Sequence, residues 1–412
     1  MPSPAASAEP VRAITPAEAA HTMLASFLGW ALDAFDFFIL IFVMPAVARE
    51  FHRPISHIAF TITATLALRP LGALVFGWIA DRYGRRVPLM VDVVFYSVIE
   101  VASGLAPSYG WFLLMRALYG IGMGGEWGVG ASLAMEAVSP RLRGLFSGLL
   151  QEGYAIGYLL AAAAFFFVFP HYGWRVMFFL GGAPALLTIY IRSHVPESEA
   201  WQRTRPDMSQ IRNAIGANWK MFLYLCGLMT MMNLASHGTQ DMYPTFLEKT
   251  RGFDTRTVAT IALIYNAGAL LGGLTFGYLS DRIGRRRAMA AAVICAGLAI
   301  PLWIYPGTLA VLTLGAFLMQ FMVQGAWGVI PAHLTELSPP EVRGLFSGLA
   351  YQIGVLVASG VAVSEALLAE RFGYAATLAA VAAIVMVCAA VVILLGRERM
   401  GRDLHSGAAS SG

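Results

Sequence analysis

Apolar runs long enough to cross a bilayer as helices, about 20 residues each, recur along the whole chain, separated by short polar loops. The pattern predicts twelve of them: 23–48, 56–80, 87–106, 109–137, 145–169, 174–193, 219–247, 257–280, 288–305, 308–336, 345–369 and 373–396. The longest polar gap, HVPESEAWQRTRPDMSQIRNAIGAN at 194–218, splits them six plus six. The expected organisation is a tail at 1–22, a six-helix bundle at 23–193, a central loop at 194–218, a second bundle at 219–396 and a tail at 397–412. Because backbone groups in lipid must bond within their own segment, the spans are expected to be helices and the fold all-α.

The two halves repeat one another. FGWIADRYGRR at 76–86 returns as FGYLSDRIGRR at 276–286, RGLFSG at 143–148 returns at 343–348, and EWGVG from Glu126 matches AWGVI from Ala326. All three pairs share an offset of 200 residues. Two related six-helix halves predict a transporter whose site lies between them, near the midplane.

Composition sharpens this picture. The chain is 58% hydrophobic and 13% charged, against about 25% charged in a soluble domain. Its mean hydropathy is +0.66. The net charge of +4 points to no nucleic-acid partner. Of the 28 basic residues, 19 fall in the tails, the central loop and the loops that follow even-numbered spans. The side richer in Lys and Arg faces the cytoplasm, so both termini are expected there, in a plasma (inner) membrane protein. No nucleophile elbow, metal-ligand spacing or nucleotide loop is present, so the chain reads as neither an enzyme nor a cofactor or metal binder. GIGMGG lies inside a span with no strand before it.

Some polar residues interrupt the apolar pattern. In MNLASHGTQDMYPTFL at 232–247, Asn233, His237 and Gln240 fall at i, i+4 and i+7, with Asp241 beside them. Such a stripe is too costly to face lipid. It either packs between helices or lines a wet site, and Pro244 is expected to kink its outer end. Arg69 sits eleven residues from the loop that follows its span, which at 1.5 Å per residue is roughly 16 Å deep. Asp33 and Asp36 share one face of the first span, and Arg116 and Glu126 lie in the fourth. Glycine pairs at four-residue spacing, 120/124, 153/157 and 268/272, suit close helix contacts that let the halves approach.

These residues resemble a known group. GWIADRYGRR and its second copy are similar to the loop motif of the major facilitator superfamily, and RALYGIGMGGEWG at 116–128 is similar to its fourth-span motif. The stretch Asn233, Ser236, His237, Thr239, Gln240, Asp241 and Thr245 matches every fixed position of the seventh-span pattern of lactate/pyruvate:proton symporters, a branch of the sialate:proton symporter family. GWALDAFDFF in the first span also resembles that family.

The resemblance implies proton-coupled import of a small monocarboxylate. A larger organic acid such as sialate or shikimate is the alternative. Arg69, Asn233, His237, Gln240, Gln352 and Tyr154 are then the candidate substrate contacts, although Arg69 also fits a structural pair and Tyr154 aromatic packing. In the superfamily a fourth-span arginine often pairs with a first-span acid. That makes Asp36 with Arg116 the expected proton switch, with Asp33, Glu126 and Asp241 as further candidates. Asp81, Arg82, Asp281 and Arg282 are expected to form a bistable ionic latch at the cytoplasmic end. His333 and Glu336 are expected to pack there, and Arg85, Arg86 and Arg285 to Arg287 to act as topology signals. The implied partners are the carboxylate, protons and the lipid bilayer, and the chain is expected to work as a monomer.

Overall fold

A computed structural model describes residues 12–404, and all the regular structure in them is helical. The spans are Pro16–Glu50, Ile55–Tyr83, Arg86–Gly104 and Tyr109–Ala137, then Arg143–Gln151 continued by Gly153–Phe167. The sixth joins Phe169–Leu180 to Ala183–His194 across a 43° bend. The second half follows the same plan: Trp219–Gln240, Thr255–Ile283, Arg285–Ile304 and Leu309–Leu337, then Arg343–Ala358 with Val361–Phe372, and finally Tyr374–Leu395. Among the described residues nine helices are long and apolar enough to cross a membrane, or ten with the bent pair. The fourth and seventh, diluted by polar residues, complete the twelve.

The bundle turns soluble-protein amphipathicity inside out. The third span exposes Val87, Val91, Val94 and Val98 while burying Asp92, Tyr96 and Glu100. A lipid-facing surface has this form, because hydrocarbon offers polar groups no partner.

Three expectations change. The tail expected through residue 22 is helical from Pro16, where Thr15 and Glu18 form a capping box; residues 1–11 and 405–412 of the two expected tails lie outside the described residues. The central loop holds two helices, Glu199–Thr204 and Met208–Ala217. Pro244 does not kink a continuous helix. The seventh span ends at Gln240, and Pro244 opens a new helix, Tyr243–Lys249, where its missing N–H costs nothing.

The predicted glycine pairs pack within a half. Gly120 and Gly124 lie against the backbone of Thr65 and Arg69, Gly153 and Gly157 against the first span, and Gly268 and Gly272 against Phe317 and Phe321. Different glycines join the halves. A Cβ on Gly128 would lie 2.5 Å from the Cα of Gly348, and one on Gly148 would lie 2.5 Å from the Gly273 carbonyl oxygen. Only a residue without a side chain permits backbone contact this close.

Candidate functional site at the seam between the halves

Both GRR loops turn on a glycine with positive φ, Gly84 at 106° and Gly284 at 101°. The turn brings the preceding aspartate to the opposite half. Asp81 accepts from the backbone N–H groups of Gly344 (3.0 Å) and Leu345 (2.8 Å), which open the eleventh span. Asp281 does the same for Gly144 (2.8 Å) and Leu145 (3.0 Å) at the start of the fifth. Each carboxylate caps a helix N-terminus in the other half, satisfying orphan donors and facing the positive end of the dipole.

Buried ion pairs surround both caps. Glu136 takes Arg343 at 2.7 Å from across the seam and Arg85 at 3.4 Å from its own half. Glu336 takes Arg143 at 3.0 Å from across the seam and Arg285 at 3.0 Å. Arg85 also bonds Asp81, and Arg285 bonds Asp281 at 2.6 Å. This corrects the expected latch. Arg82 turns away to the Pro206 carbonyl, and Arg282 bonds the Tyr278 hydroxyl. Arg85 and Arg285, read from the sequence as topology signals, are members, and so is Glu336.

The linkers brace this face. Glu197 in the central loop accepts from the N–H groups of Arg85 and Arg86, and Glu398 past the twelfth span accepts from that of Arg286. Burial pushes the Glu197 carboxyl up from its ordinary range, while those backbone bonds pull it back down.

Farther from the loops the seam becomes aromatic. Tyr351 stacks on Trp127 at 4.4 Å between centroids and meets Trp30 and Trp327 edge-on, and Trp30 stacks on Tyr154. Arg69 points at this cluster, its guanidinium 5.8 Å from the Tyr351 ring centre. It is only 5% exposed, yet its Nε and Nη2 have no hydrogen-bond partner. Among the described residues no carboxylate lies within ion-pair distance of it, although Asp33 is its charged neighbour. The indole N–H groups of Trp30 and Trp127 are buried and unpartnered too. Gln352, fully buried, donates weakly to the Gly124 carbonyl across the seam at 3.5 Å. The cluster is a set of idle donors around a cation, the chemistry that receives a carboxylate.

The expected pairing of Asp36 with Arg116 is not formed. Arg116 bonds Glu100 at 2.8 Å and Ser103 at 2.8 Å. Asp36 is fully buried beside them with both oxygens unpartnered. Asp33 accepts from Tyr119 at 3.2 Å. Glu126 makes no bond to Arg116 and lies in a separate niche.

The seventh-span stripe divides. Ser236 accepts from Gln324 at 3.1 Å, Gln240 donates to Gln320 at 2.6 Å, and Gln320 also reaches Thr239, all of which tie the seventh span to the tenth. Asn233 is buried and donates to its own helix at the Met229 carbonyl. His237 and Asp241 pair at 3.1 Å on the partly exposed outer end. Tyr154 in the aromatic cluster has both Arg69 and Asp241 as charged neighbours, while Gln240 is used between helices.

Among the described residues, the hydrogen bonds, ion pairs and ring contacts across the seam lie between the loop face and the level of Tyr351 and Gln352. None joins the halves at the opposite face.

Comparison with known proteins agrees with the architecture. Residues 34–219 match the sugar (and other) transporter family, and residues 223–410 match the major facilitator superfamily. The chain is 28% identical to a probable 4-methylmuconolactone transporter of Cupriavidus pinatubonensis, covering 94% of each. It is 27% identical to the sialic acid transporter NanX of Escherichia coli, over 92% of this chain and 94% of that one. A carboxylic acid transporter protein homolog of Saccharomyces cerevisiae is 27% identical over 92% of this chain and 68% of its own length. Among solved structures, the proton:xylose symporter XylE superposes with a TM-score of 0.75 at 20% identity, covering 94% and 98% of the two chains.

Proposed function

We propose that this chain, which belongs to the major facilitator superfamily of membrane transporters, imports a small monocarboxylate such as lactate or pyruvate together with protons by alternating access. The observation that carries the reading is Arg69, a buried guanidinium without a counter-ion, set among unpartnered indole donors at the seam. A carboxylate entering there gains charge-assisted bonds that none of the described residues supplies to those nitrogens. The seventh-span pattern supports the lactate and pyruvate assignment. The names of the relatives favour a second reading, a larger organic acid such as sialate or a muconolactone.

In this reading the chain sits in the plasma (inner) membrane with its loop face and both termini cytoplasmic, and one chain suffices. The two aspartate caps and the Glu136 and Glu336 clusters hold the inner side shut, so the site faces outward. Opening requires four cross-seam groups to separate together, which makes the latch bistable.

Two experiments follow. In proteoliposomes, uptake of labelled L-lactate should be competed by pyruvate and not by sialate or shikimate; competition by only the larger acids moves the assignment to the second reading. The double variant Glu136→Gln, Glu336→Gln should open the inner side. A cysteine at Ser147, whose hydroxyl accepts from the Ala332 N–H at 3.0 Å across the seam, should then react about tenfold faster with a water-soluble maleimide in an otherwise cysteine-free background. Unchanged labelling means that the ion pairs do not hold the inner side closed.

A further inference from the structure

The amino-terminal half buries more acid than its arginines can match, and part of it lies where neither the seam nor Arg116 reaches. Glu126 is 1% exposed, and both of its oxygens lack a hydrogen-bond partner. The backbone makes room for it. A Cβ on Gly29 would lie 2.5 Å from its Oε1, and one on Gly130 would lie 3.2 Å away. Asp92, fully buried on the third span, is also unpartnered at both oxygens. Its charged neighbours are Glu126, then Asp33. The Tyr96 hydroxyl, buried and without a partner, faces Glu126, Asp33, Asp36 and Asp92.

The row has a direction. Asp92 is six residues into its span and Glu126 eleven residues from the end of its own, or roughly 9 Å and 16 Å from the loop face. Toward the other face follow Asp33, then Asp36 with the Glu100–Arg116 pair. Arg69 and Arg116 are the only cations facing the row among the described residues. The second half does not repeat the row at the matching positions, although it buries one unpartnered acid of its own, Glu365. The positions 200 residues on from Asp92, Tyr96, Glu100, Arg116 and Glu126 are Ala292, Ala296, Ile300, Ala316 and Ala326. A duplicated fold that keeps these groups in one half alone has given that half a separate task.

From this geometry we infer that Asp92 and Glu126 form a proton-binding site inside the amino-terminal bundle, off the substrate seam, which passes protons between Asp33 and the loop face. The inference rests on the symport reading. In the step it adds, the proton on the Asp33 carboxyl moves to a Glu126 oxygen and then to Asp92, leaving Asp33 anionic opposite Arg69. The proton leaves to water at the loop face, so charge and atoms balance. Because the carboxyls need not touch substrate, protons and substrate leave the membrane centre by different routes.

The test uses the full chain in liposomes and labelled L-lactate, with Asp92→Asn, Asp92→Glu and Glu126→Gln. Exchange without a gradient should stay within about twofold of wild type in all three, while accumulation on an inward proton gradient falls about tenfold or more in Asp92→Asn and Glu126→Gln and recovers in Asp92→Glu. Infrared difference spectra of the purified protein should show a protonated-carboxyl band that disappears in Asp92→Asn. Wild-type accumulation in the two neutral variants, with the band retained, overturns the relay alone. Loss of accumulation in Asp92→Glu as well as in Asp92→Asn assigns Asp92 to packing and overturns it too. A wild type that gains nothing from the gradient removes the symport reading, and the relay falls with it.

Discussion

Arg69→Ala is expected to abolish carboxylate uptake while leaving folded protein in the membrane. A guanidinium holding a carboxylate through two charge-assisted bonds, each worth about 1.5–3 kcal/mol, accounts for a loss of a hundredfold or more. The fold should survive because no carboxylate among the described residues forms a direct ion pair with Arg69. Its Nε and Nη2 are idle, and Asp33 is a charged neighbour that forms no ion pair with it. Arg69→Lys keeps the charge but not the planar fork, so it should recover only part of the activity. Uptake kinetics alongside size-exclusion profiles check this. Wild-type affinity in Arg69→Ala would rule out the anchor.

The second large effect concerns Asp36 and its neighbours. Asp36→Asn should permit exchange of substrate across the membrane and stop uphill uptake, because a group that cannot change charge cannot tie proton binding to conformation. Glu100→Gln should act differently. Glu100 holds Arg116 at 2.8 Å in a fully buried pair, and removing one partner of such a pair costs about 3–5 kcal/mol. That variant should lose folded yield before coupling can be measured. A Glu100→Gln protein that folds normally and only uncouples makes Glu100, rather than Asp36, the acid that switches.

Much of this architecture was legible because duplication prints itself twice. The 200-residue offset marked the GRR loops, and the loop motif pointed to Asp81 and Asp281. The same offset carries a further signal. Glu136 precedes Arg143 by seven residues, and Glu336 precedes Arg343 by seven, so both cross-seam ion pairs were written in the repeats. Motif position favoured Arg82 and Arg282, but the turn at Gly84 and Gly284 sends the next arginine on that face inward. In the third span, Asp92, Tyr96 and Glu100 recur at four-residue spacing, one helix face. An apolar run with two lone acids reads as a membrane helix, and only packing reveals that those acids share a core. The Asp36–Arg116 pairing failed for the same reason, since Glu100 competes from a helix whose placement the sequence does not specify. In the seventh-span stripe the glutamine finds a partner at Gln320 and the histidine at Asp241, partners that helical periodicity alone does not specify. The aromatic seam followed from Trp127 and its twin Trp327, visible as a repeat but silent about what stacks between them.

The most direct test of the central claim is accumulation of labelled L-lactate in proteoliposomes under an inward proton gradient, with proton entry recorded in the same vesicles. The account predicts uphill lactate uptake that brings protons with it, disappears when the gradient is collapsed and is absent in Arg69→Ala. Lactate that only equilibrates, or that accumulates without proton entry, contradicts it.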